Sequence, residues 1–219
     1  MDKEIKTKVI SVFGTSGSGK SYIANKYFHE KGNIYKYLLD LDVQNSASSI
    51  MNDAKKEDNI MNYIANKTSI SNKIISSNIQ IDEYEIKYKL ELDNLIGNNK
   101  GTIIIDLPNC IFLKEVYDSI KISDEIFFII NPNFLSIRQS IKYLEVLNTV
   151  WNIKEEKIKI VVNKVTINSL SKNVIKEIYK KYQVIDYIKY NKNIEKMINL
   201  QEFKYKGRNV KKNLFKSRK

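Results

Sequence analysis

Three of the seven glycines in this 219-residue chain, Gly14, Gly17 and Gly19, fall within six positions of one another in VFGTSGSGKSYIA. A chain this sparing with glycine places it where the backbone must bend sharply or approach a ligand closely. An apolar run, KVISVF (residues 8–13), leads straight into the glycines, and a segment of helical period starts near Lys20 and reaches a plausible stop at Gly32. Strand, glycine loop and helix in immediate succession form the unit around which the rest of the chain is read.

That alternation continues to the end of the chain. YKYLLDLDV, NKIISSNIQI, GTIIID, DEIFFII, KIKIVVN and QVIDYI read as further strands. Residues 59–65, YEIKYKLELDNLI, FLSIRQSIKYLEVLN, LSKNVIKEIYKKY and NIEKMINL read as helices. The pattern predicts an α/β domain with a mainly parallel central sheet, spanning residues 1–202 and followed by a basic tail at 203–219. No internal repeat and no Pro/Gly-rich linker interrupts it.

The spacing Gly14-x4-Gly19-Lys20-Ser21 suits phosphate. Loop N–H groups converge on phosphate oxygens, the helix N-terminus adds its positive dipole end, Lys20 neutralises β/γ charge and the Ser21 hydroxyl ligates magnesium. The expected nucleotide contacts are Gly14, Thr15, Ser16, Gly17, Ser18, Gly19, Lys20, Ser21 and Tyr22. GTIIID places Asp106 at the end of a buried strand, where its carboxylate can hold a water of the magnesium shell opposite Ser21. Asp40 and Asp42, two apart, share a face if their strand continues, and like charges so close call for a cation or a polar network. Pro108 and Pro132 follow the C-terminal ends of two strands, the edge of an open α/β sheet where ligands bind.

Composition narrows the remaining classes. No apolar run reaches the roughly 18 residues of a membrane span, and MDKEIKTK lacks the apolar segment of a secretion signal, so a cytoplasmic protein is expected. Cys110 and His29 are the only residues of their kinds, which leaves no intramolecular disulfide and no Cys/His zinc cluster within one chain. The net charge of +12 has two readings, nucleic-acid binding or the Lys, Ile, Asn and Tyr bias of an AT-rich coding sequence. From Phe203 onward, however, FKYKGRNVKKNLFKSRK carries eight basic residues and no acidic one, a concentration suited to DNA phosphates or anionic lipid, or to a solvated tail.

Taken in order, VFGTSGSGKS, LLDLDVQNSASS and IIIDLP resemble the ParA/MinD family of P-loop ATPases, and more narrowly its CpaE/TadZ-like branch linked to pilus assembly and cell-pole positioning. SDEIFFIINPNFLSIRQS and IVVNK extend the resemblance over nearly the whole chain. It implies the three-layer P-loop NTPase fold, ATP and magnesium as ligands, and a nucleotide-held homodimer that places an unidentified protein partner at a membrane or nucleoid. It also implies that Asp40 lies near the magnesium shell, that Asp42 orients the attacking water and that Asn163 meets the adenine, with Pro132 and the residues after it lining the base pocket. The departure is Thr15, where the typical family loop has a lysine that crosses to the partner's phosphates. Threonine cannot supply that charge, so hydrolysis is expected to be slow unless another cation such as Arg138 substitutes.

Besides a non-enzymatic positioning protein, in which nucleotide merely locks a dimer that docks on a surface, three rival readings compete with this one. NKVT, from Asn163, approaches the guanine-reading pattern of a GTPase but has Thr166 in place of the carboxylate. A small-molecule kinase would share the loop but usually carries arginine-rich lid segments, whereas this chain has three arginines. A plasmid or chromosome partition ATPase would use the same loop and bind DNA non-specifically through the tail. His29 and Cys110 read by default as packing or surface residues and Arg138 as a surface residue of an amphipathic helix, and Trp151 carries no functional reading.

Overall fold

The computed structural model describes residues 7–29, 36–42, 74–75, 101–194 and 196, with 36, 74 and 75 described by backbone alone. Their strands are β1 (Lys8–Gly14), β2 (Lys36–Asp40), β3 (Ile74–Ile75), β4 (Thr102–Asp106), β5 (Glu125–Ile130), β6 (Ile158–Val165) and β7 (Gln183–Lys189). The helices are α1 (Lys20–His29), α2 (Lys114–Ile122), α3 (Phe134–Glu145) and α4 (Lys172–Ile178); α3 runs on into a π-helical turn at Val146–Val150. The seven strands form one sheet in the order β3-β2-β4-β1-β5-β6-β7, and every pairing is parallel.

The apolar runs become strands because parallel strands flanked by helices are covered on both faces. The burial is graded accordingly. Every residue of β4 is buried, and β1 and β5 are buried but for their first residues, whereas the edge strand β7 has no fully buried residue. Alternate residues feed two cores. Val9, Phe13, Leu39, Ile103, Ile105 and Phe128 meet Val116 and Ile120 of α2, Ile137 and Leu144 of α3 and Tyr179 after α4. On the other face Ile10, Val12, Leu38, Ile104 and Ile129 meet Ile23 and Ala24 of α1. These are the two helical layers over the sheet that the sequence predicts.

Four details depart from the sequence expectations. Helix α2 was not expected; it forms because Val116, Ser119 and Ile120 make one buried stripe, and Ser119 interrupts the apolar pattern that would have announced it. The helix expected over 134–148 changes to a wider π turn at Val146, and the helix expected over 170–182 stops at Ile178, where Tyr179 leaves helical geometry. β2 ends at Asp40, so Asp42 lies beyond the strand. Gly32, Tyr35 and Val43 at the ends of YKYLLDLDV, the segments at 59–65 and YEIKYKLELDNLI, most of NIEKMINL and the basic tail lie outside the described residues, and of NKIISSNIQI only Ile74–Ile75 lies within them.

Candidate functional site

β1, the middle strand of the sheet, delivers the chain to Gly14, and α1 begins six residues later at Lys20. Its neighbours β4 and β5 lie on opposite sides, so the glycine loop occupies the crevice at the sheet's C-terminal edge. Gly14 passes so close to β5 that a Cβ there would stand 2.1 Å from the Ile129 carbonyl oxygen. Gly19 has φ +86°, and a Cβ there would lie 2.6 Å from the side-chain nitrogen of Asn163. A side chain fits at neither position. Within the loop the Thr15 N–H donates to Ile129 O at 3.2 Å and the Ser18 N–H to Thr15 O at 3.2 Å.

Side chains from the strand ends hold the loop from behind. Asn163 of β6 is buried, and its Nδ2 donates to Ser18 O at 2.8 Å. Asn131, just past β5, donates from Nδ2 to Gly17 O at 3.2 Å. Thr15 is fully buried, with Oγ1 2.7 Å from Ser136 Oγ in the first turn of α3. Ser136 Oγ also accepts from the Asn131 N–H at 2.9 Å, and the Ser136 N–H donates to the capping Asn133 Oδ1 at 2.9 Å. Asn131 and Ser136 were not identified in the sequence; their only signal was their position in the segment just after a strand end, beside Pro132. Pro132 is buried with its carbonyl accepting from the Leu170 N–H at 3.1 Å.

The charged groups gather on the other flank of the loop. Asp40 and Asp106 are register partners on β2 and β4, and both are fully buried. Asp40 Oδ1 accepts from the Asp42 N–H at 3.0 Å, and the Leu41 N–H donates to Asp106 O at 2.9 Å, which fixes the turn where β2 ends. Lys20 is buried, and loss of solvent pushes its pKa below the ordinary lysine value while the negative charges of Asp106 and Asp42 pull it back up. Ser21 and Tyr22 are half-buried on the first turn of α1, and Ser16 and Gly17 are exposed at the loop's tip. Arg138 is exposed on α3.

A triphosphate with magnesium fits this arrangement on three grounds. Among the described residues, Ser18 Oγ is buried in the loop with no hydrogen-bond partner, and so is Asn131 Oδ1 just past β5. Two adjacent buried carboxylates favour a cation next to them. Ser21 on the first turn of α1 and Asp106 at the end of β4 could supply the one or two side chains with which magnesium is held together with phosphates and water.

Parallel sheet, glycine loop, buried lysine and strand-end aspartate together define a P-loop nucleotide-binding protein. Residues 9–202 match the model of the CobQ/CobB/MinD/ParA nucleotide binding domain, and the chain belongs to that family of nucleotide-binding ATPases. Among solved structures it is similar to the MinD cell division protein of Aquifex aeolicus, at 18% identity over 90% of this chain and 86% of that one, with a TM-score of 0.66. A Borrelia burgdorferi structure assigned as a plasmid partition protein and bound to AMPPNP matches at 19% identity over 89% of both chains, TM-score 0.68. The septum site-determining protein MinD of Pyrococcus horikoshii, complexed with Mg-ADP, matches at 15% identity over 92% of this chain and 89% of that one, TM-score 0.68. At these identities the likeness establishes the fold. None of the curated proteins matches the chain.

Proposed function

We propose that the protein binds Mg-ATP in this loop, dimerises in the nucleotide-bound state and acts as a positioning or assembly factor of the CpaE/TadZ kind, with slow intrinsic hydrolysis. The observation that carries the nucleotide reading is buried Lys20, with the charges of Asp106 and Asp42 acting on it, at the end of a glycine loop that tolerates no side chain at positions 14 and 19. Mg-ADP in the Pyrococcus match and AMPPNP in the Borrelia match support it. Lys20 would neutralise β/γ-phosphate charge. Ser21 and Asp106, with Asp40 behind, would hold the magnesium, which when bound would offset the charge developing on the phosphates. Asp42, beyond the end of β2 and half-exposed, would orient the attacking water, and Asn163 and the segment from Pro132 would meet the base.

Slow turnover follows from Thr15. Its side chain is buried against Ser136, so it neither carries a charge nor reaches outward to a partner's phosphates. Dimerisation is supported by exposed apolar side chains on the loop's edge of the sheet: Phe112 (92% exposed) after β4, Phe134 and Leu135 after β5, and Ile167 (100% exposed) after β6. Such a rim is costly unless it is covered.

The partition role is a second reading, because a Borrelia partition protein matches as well as the MinD structures do. The experiment for both is ATP affinity, turnover and oligomeric state, with Lys20→Ala as control, followed by duplex DNA and anionic liposome binding with and without residues 203–219. No ATP binding by the natural chain overturns the nucleotide reading. DNA binding that is lost with the tail and falls steeply with salt selects partition, and lipid binding lost with the tail selects membrane positioning.

A further inference from the structure

The side chain at position 15 is turned inward, and its partner lies 121 positions away in the chain. Thr15 Oγ1, Ser136 Oγ and the Asn131 N–H form a buried relay, and Asn131 closes it by donating from its side chain to Gly17 O, three bonds in all. The relay ties two places on the glycine loop to the first turn of α3. That turn is otherwise held by the Asn133 cap, and it carries Phe134 and Leu135, 71% and 76% exposed, on the rim described above.

We propose that Thr15, Ser136 and Asn131 are positioning residues that latch the glycine loop to the N-terminal turn of α3, so that nucleotide in the loop orders the apolar surface formed by Phe134 and Leu135. The proposal rests on the nucleotide reading above and adds what Thr15 does in place of a lysine. Ser136 Oγ has one proton and accepts the Asn131 N–H, so it and Thr15 share a single hydroxyl bond whose direction can reverse without loss. The loop carbonyls of Gly17 and Ser18 are satisfied from behind by Asn131 and Asn163, and the Thr15 N–H is tied to Ile129 O, so the loop is held from the side of β5 and β6. Phosphate drawing on the loop therefore pulls on α3 through Thr15. The latch also selects the residue: a hydroxyl of this size reaches Ser136 from a fully buried position, and a long cationic side chain does not fit there.

The test measures Mg-AMPPNP affinity by calorimetry for the natural chain and for Thr15→Val, Ser136→Ala, the double variant and Thr15→Ser, together with amide hydrogen exchange over residues 131–138. Each single loss of the hydroxyl pair is expected to weaken affinity by roughly fivefold, the size of one buried neutral hydrogen bond. The double variant should be no weaker than either single one, and Thr15→Ser should restore affinity. In the natural chain Mg-AMPPNP should slow exchange across Asn133–Ser136, and in Thr15→Val that protection should be confined to the glycine loop. Unchanged affinity in both single variants, additive losses in the double, or protection of α3 that persists without the hydroxyl overturns the latch. A natural chain that does not bind Mg-AMPPNP overturns the nucleotide reading itself, and the latch with it.

Discussion

Asp40 and Asp106 stand side by side on adjacent parallel strands, fully buried and in register. Neighbouring strands are about 4.8 Å apart, so two carboxylates on one face at that spacing repel each other in the absence of a cation. Lys20 feels the charge of Asp106 and Asp42. On the proposed reading, the arrangement would trade stability of the ligand-free chain for a place to bind magnesium.

Asp40→Asn should separate these two effects. The amide oxygen keeps the bond from the Asp42 N–H, while the repulsion with Asp106 is relieved. Without magnesium the variant should be more stable by about 1 kcal/mol, in line with other relieved functional sites. The extra thermal stability that Mg-ATP gives the natural chain should shrink. Denaturant melts with and without Mg-ATP read both terms, and a variant less stable in both conditions would contradict the account.

A lysine at position 15 cannot occupy the space of the buried threonine. Thr15→Lys must turn its side chain out and leave Ser136 without its hydroxyl partner, at a cost of about 1–3 kcal/mol. The natural chain should bind ATP and hydrolyse it slowly, and the melting temperature of the variant should fall whatever its rate does. A variant as stable as the natural protein would show that the Thr15–Ser136 bond contributes nothing. Brisk hydrolysis by the natural chain would show that another cation serves the phosphates.

Tyr179 gives a pH prediction. Burial pushes its hydroxyl pKa up to about 12, against a smaller opposite effect of the bond with Ser140. A tyrosine raised from 10 stabilises the fold fully below pH 10, where both states are protonated, and that contribution is lost as pH climbs towards 12 because the unfolded chain ionises first. The loss amounts to about 2–3 kcal/mol across the window. Tyr179→Phe should show a correspondingly flatter fall of stability between pH 10 and 12 in chemical denaturation.

The exposed rim should be separable from the nucleotide site. Phe134→Ser removes apolar surface from the α3 turn without touching a described hydrogen bond, so stability should stay within about 0.5 kcal/mol. ATP affinity should change little, and the ATP-dependent dimer should dissociate at concentrations where the natural chain stays paired. Light scattering with and without ATP decides; a full dimer in the variant would move the interface elsewhere.

Much of the architecture could be read from the order of residues because the signals were local. Seven apolar runs became seven strands, and VFGTSGSGKS became a strand, a loop and the start of a helix, since backbone bending at glycine and burial of a parallel strand on both faces are properties of short segments. Helix α2 escaped because Ser119 occupies a core-facing position, where it is buried among residues distant in sequence. Asp106 was legible as the polar end of an apolar run, and its pairing with Asp40 followed from the sheet order alone.

The amino-acid sequence by itself determined the phosphate loop, its lysine and serine, the strand-end carboxylates and the alternation that makes the sheet. Tertiary structure decided which way Thr15 faces, that Ser136 and Asn131 meet the loop, and that Asn163 lies beneath it donating to Ser18 O. The physical reason is the range of the forces. Propensity and period act over a few residues, whereas a buried hydroxyl or amide takes its orientation from whichever partner the fold brings within about 3 Å, here from strands and a helix more than a hundred positions along the chain.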